Sequence, residues 1–190
     1  VIFLLARQIC GMILSMSMLQ LERSVAMTYE CAAYFRLLLL CGYKDELQQY
    51  VEKALLEQDP LSDVVLELSL SGSNDKKMLS VLNEYLRQVK DSDIDYDNTV
   101  FEQIISFLRK RYYDDAMPIR KIAQLMHRLA LYTDRYLAEP WFTLYWMDDL
   151  FSEAEAGYLH IEDCRDEVEE CINSGSRCTD HGSHESRSNG

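Results

Sequence analysis

The sequence predicts an all-α protein, an irregular multi-helix bundle of roughly eight to ten helices followed by a disordered C-terminal tail. Three observations predict it. Apolar residues recur three and four positions apart through most of the chain, which is the spacing of one helix face. Only 7 Gly and 3 Pro occur in 190 residues, too few for the many turns of an all-β fold. The hydrophobic content of 48% and charged content of 27% are those of a globular protein with its own core. A single helical domain is expected over 1–173, with 91–98 as the place where it would divide.

Residues 1–20 are nearly all apolar, interrupted by Arg7, Gln8, Ser15 and Ser17, and a second apolar stretch runs from Val25 to Cys41. Arg7, Glu30 and Arg36 are costly inside a bilayer, so both stretches read as core helices, with a membrane hairpin over residues 1–41 as the alternative. Gly42 is placed to end the second helix in the left-handed conformation. Leu47, Tyr50, Val51, Ala54 and Leu55 give the next helix its apolar face. Asp59-Pro60 ends that helix and, with proline tolerated at a first helical position, opens another. In the segment 61–70, Leu66, Leu68 and Leu70 alternate as in a strand, whereas Leu61, Val64, Val65 and Leu68 fit a helix. The Asp-Pro start favours the helix.

Ser71-Gly72-Ser73 is a break, and Asn74 caps a helix whose face is Met78, Leu79, Leu82, Tyr85, Leu86 and Val89. After the acidic stretch 91–98, Phe101, Ile104, Ile105 and Leu108 line a helix to about Tyr113. Pro118 opens one with Ile119, Ile122, Ala123, Met126, Leu129 and Ala130 inward. Pro140 opens another through Trp141, Phe142, Leu144, Tyr145, Trp146, Leu150 and Phe151, and Gly157 breaks it. Ile161, Cys164, Val168, Cys171 and Ile172 form the last amphipathic face. Residues 174–190 are polar and serine-rich and read as a disordered tail.

The net charge of −13, with a pI near 4.7, argues against nucleic acid and anionic membrane surfaces, because both demand a basic face. It favours a basic protein partner. The six cysteines, Cys10, Cys31, Cys41, Cys164, Cys171 and Cys178, mostly fall on apolar faces, where thiols behave as small hydrophobes. A chain with this much core does not depend on disulfides, so a reducing, cytoplasmic setting is expected. No phosphate-binding glycine loop, zinc-protease motif or nucleophile elbow is present. His160 and Cys164 lie one turn apart, and Cys178, His181 and His184 are compact in the tail, but neither set completes a metal site.

Two stretches carry candidate sites. In the first, Trp141, Tyr145 and Asp148 share one helical stripe, and Phe142, Trp146 and Asp149 the next. Aromatics beside acids anchor basic partners, so Trp141, Tyr145, Asp148, Asp149 and Glu153 are the expected partner-binding residues. From Glu139 to Glu170 the only Lys or Arg is Arg165. The second stretch supplies Asp91, Asp93, Asp95, Asp97, Thr99 and Glu102, an alternation of oxygen donors between two helices. It resembles the twelve-residue calcium loop of EF-hand proteins, with these residues at the first, third, fifth, seventh, ninth and twelfth positions. The resemblance implies a calcium site. It departs at Tyr96, where the loop's turn takes glycine, and at Asn98, where the family is apolar. Thr99 and Glu102 also form a capping box, which alone accounts for both.

The expected function is a non-enzymatic acidic helical binding protein, of the immunity or antidote type toward a basic partner, without a cofactor. A calcium- or metal-responsive module built on 91–102 is one alternative. A hydrolase built from carboxylates such as Asp148, Asp149 and Glu153 is the other.

Overall fold

A computed structural model describes residues 26–88 and 96–174, and in these residues the protein forms eight helices and no strand. They are α1 (Tyr29–Leu40), α2 (Asp45–Glu57), α3 (Asp63–Ser71), α4 (Asp75–Gln88), α5 (Tyr96–Tyr113), α6 (Ile119–Leu131), α7 (Trp141–Glu155) and α8 (Ile161–Ser174). The all-α bundle read from the periodicity is therefore the observed fold. The apolar stretch 1–20 and the tail from 175 onward lie outside the described residues.

Helix α1 is the hub. Eight of its twelve residues are buried, and it packs against α2, α4 and α5. At a rise of about 1.5 Å per residue it is about 18 Å long, well short of a bilayer's hydrocarbon core. No helix among the described residues is long and apolar enough to cross a membrane. Thr28 caps its start, its hydroxyl accepting from the Cys31 N–H at 3.2 Å.

Gly42 ends α1 as the spacing predicts. Its φ is +88°, the Gly42 N–H donates to the Leu39 carbonyl, and the Tyr43 N–H reaches back to Leu38 at 2.9 Å. These paired bonds satisfy carbonyls that a helix end otherwise leaves free. A Cβ at position 42 would meet nothing within 4 Å, so Gly42→Ala carries only the backbone strain, about 1–2 kcal/mol. Urea denaturation should show that loss, and an unchanged midpoint would contradict it.

The ambiguous segment 61–70 resolves as helix because Val65 and Leu68 are buried while Leu66 and Leu70 face outward. The period of 3.6 decides the structure, not the alternation. Pro60 does not open that helix, however. Ser62 occupies the N-cap, and the Gln58 side chain accepts from both its N–H and its hydroxyl. Asn74 caps α4 as expected, accepting from the Lys77 N–H at 3.2 Å.

Helix α5 begins at Tyr96, about one turn earlier than the Thr99–Glu102 capping box predicts. Thr99 is thus inside the helix. The core runs as one cluster from Met27 to Ile172. In the second half of the chain, α6 and α7 form the most extensive helix pair, and α8 packs on α5, α6 and α7. Arg109 fastens the end of α8: its guanidinium donates to the Ile172 carbonyl at 2.7 and 3.1 Å and to Asn173 at 3.3 Å. A cation there meets the negative end of the helix dipole. Tyr112 donates to Glu169 and Tyr113 to Asn173 beside it.

Candidate functional site

The two stripes of α7 have separate fates. Trp141, Leu144, Met147 and Phe151 are buried and form the inner face. Trp141 is 1% exposed, and its ring stands edge-on to Phe101 of α5 at 5.7 Å. Tyr145 is half-buried, sandwiched against His127 of α6 at 4.7 Å and Tyr136 at 4.9 Å. The His127 Nδ1–H donates to its carbonyl at 2.7 Å. Both aromatic residues named from the first stripe are therefore occupied by the fold.

The outer face runs through Phe142, Trp146, Asp149 and Glu153. Their spacing of four, three and four keeps them on one side of the helix, over a length of about 16 Å. Phe142 and Trp146 are 40% and 38% exposed and lie nearly parallel, with ring centroids 6.5 Å apart. The aromatics that face outward are thus these two.

The four carboxylates of α7 divide in the same way. Arg120 of α6 pairs with Asp148 and with Glu155, the latter at 3.1 Å, and lies over the Phe151 ring at 5.4 Å. No ion pair among the described residues engages Asp149 or Glu153. Glu153 also sits near the C-terminal end of α7, whose last turn holds no basic residue. The dipole disfavours an anion there. The following loop adds exposed Tyr158 and Leu159, and α8 then presents Ile161, Glu162, Asp163, Asp166 and Glu170 to solvent.

The chain has two tryptophans, Trp141 inside and Trp146 outside, so their fluorescence separates core from surface. Relative to free N-acetyltryptophanamide, caesium should quench Trp146 more strongly and iodide less, because its carboxylate neighbours attract the cation and repel the anion. The Trp146→Phe variant should lose that quenching and keep a blue-shifted emission. The same ratio of caesium to iodide quenching as in the free fluorophore would mean the face is not acidic.

Of the candidate calcium ligands, Asp91, Asp93 and Asp95 lie outside the described residues. Asp97, Thr99 and Glu102 fall in the first two turns of α5, where side chains two and five apart point in different directions. Asp97 is ion-paired with Arg135, and Thr99 and Glu102 are exposed. This part of the stretch does not converge on one point. Among the described residues no group of three or more His, Cys, Asp and Glu side chains is arranged to hold a metal ion. His160 is exposed while Cys164 is buried, its thiol donating to the Leu150 carbonyl at 3.4 Å. The carboxylates offered as a hydrolase set are split, with Asp148 held by Arg120 and Asp149 and Glu153 on the outer stripe.

The difference between the two stripes was present in the sequence. Positions 141, 144, 147 and 151 are all apolar, whereas 142, 146, 149 and 153 end in two carboxylates. Arg120 carried no such signal, because its partners lie on another helix. Compared with known proteins, the chain matches no family model, no curated protein and no solved structure.

Proposed function

We propose that this is a non-enzymatic binding protein whose α7 outer face receives a basic protein partner. The observation that carries the reading is the pairing, on one stripe, of two exposed stacked aromatics with two carboxylates that no described cation engages. Aromatic rings supply contact area at little entropic cost, and the acids set charge preference and orientation. The net charge of −13 extends the same preference over the whole molecule. A local conflict between Glu153 and the helix dipole, which a cation would relieve, is the kind of compromise found at functional surfaces. An antidote-type role toward a basic toxin is the narrower form of this reading and rests on charge alone.

Immobilised protein tests it. A basic protein should be retained at about 50 mM salt and released by about 500 mM, where the Debye length falls to a few ångströms. The doubly substituted Trp146→Ala, Glu153→Gln protein should retain much less of it. Retention indifferent to salt, or equal on the variant, would overturn the reading.

A further inference from the structure

We infer that the segment received by this face is a basic amphipathic helix, with two apolar residues four apart, two basic residues four apart, and three positions between the inner members. The inference rests on the reading above and adds the partner's form. Phe142, Trp146, Asp149 and Glu153 make a straight ridge with apolar contacts at one end and carboxylates at the other. A second helix laid along α7 has the same rise per residue, so a four-three-four pattern on it comes into register with the same pattern here.

An extended segment is disfavoured by its own backbone. No strand exists among the described residues, so this face offers no sheet edge to pair with its N–H and C=O groups. A helix satisfies those groups internally and brings only side chains to the contact. Charge sets the sign of the polar end. No ion pair among the described residues engages Asp149 or Glu153, and Arg120 of α6 is taken up by Asp148 and Glu155 on another side of α7. Lysine or arginine opposite Asp149 and Glu153 therefore meets carboxylates, and leucine-like residues opposite Phe142 and Trp146 meet rings.

Three alanine-rich helical peptides of one composition test this by calorimetry against the full chain. Two carry the four-three-four pattern, one in each chain direction, and the third has its leucines and lysines scrambled. At least one patterned peptide should bind about tenfold or more tightly than the scramble, the scale on which hot-spot residues act. Phe142→Ala with Trp146→Ala should remove that advantage while circular dichroism stays unchanged. Equal binding by all three peptides would overturn the helical inference and leave the basic-partner reading standing. Binding by none would overturn both.

Discussion

Trp141→Ala should lower stability by about 3–5 kcal/mol, the cost of emptying a large aromatic site from a core. Trp141 is 1% exposed at the first position of α7, and its ring meets Phe101 edge-on. Its removal leaves a cavity where α7 begins and withdraws the aromatic contact between α5 and α7. Urea denaturation followed by circular dichroism measures the loss. Trp146→Ala, four residues along on the outer face, should cost well under half as much, because a partly exposed ring loses less buried area. The two variants should also differ in the opposite sense on binding, with Trp146 the more damaging. A stability loss below about 1 kcal/mol for Trp141→Ala would mean that the ring is not core.

Alkaline conditions should produce the second large effect. Burial pushes the Cys31 thiol up from 9.0 to about 12, aided by the nearby Glu30 carboxylate and opposed by a backbone hydrogen bond at Thr28. Burial likewise pushes Cys41 up to about 11, against the Arg128 charge. Tyr34 and Tyr50 are raised as well, by burial first, and Tyr34 also by Glu46, to which its hydroxyl donates. In each case the fold holds the neutral form while the unfolded chain is free to ionise. The stability is therefore intact below pH 9 and falls as pH rises through the window from 9 to about 12. At about 1.4 kcal/mol per pH unit, Cys31 alone accounts for a loss of about 4 kcal/mol. Cys31→Ala should flatten that part of the pH dependence. Rapid reaction of Cys31 or Cys41, identified by mapping the labelled thiols, with a disulfide reagent near neutral pH would contradict the burial on which this rests.

Much of the fold was legible because its helices are amphipathic. Of Ile119, Ile122, Ala123, Met126, Leu129 and Ala130, expected to face inward, all are buried except Ile119, which is half-buried at the start of its helix. Asn74, through its side-chain oxygen, and Gly42, through its left-handed backbone, mark their helix ends as expected. What the pattern missed depends on partners remote in the chain. Arg109 caps α8 from 63 residues away, and Arg120 engages Asp148 from 28 away. Neither pairing has a local signature. The start of α5 was misplaced because Thr99 and Glu102 satisfy a capping pattern that the longer helix does not use. At the surface site the acids and aromatics were legible as a cluster. Which ring faced out was decided by a single residue's rotation about α7, and the burial of Trp141 against Phe101 settled it.

Attraction between this face and a basic partner is reported most directly by the association rate. Stopped-flow mixing with the basic protein retained by the immobilised chain should give a rate constant that falls about tenfold or more between about 50 and 500 mM salt. In the Asp149→Asn, Glu153→Gln protein the rate should be lower at low salt and vary much less with it. Phe142→Ala with Trp146→Ala should instead speed dissociation. An association rate indifferent to salt, or unchanged by loss of the two carboxylates, would contradict the account.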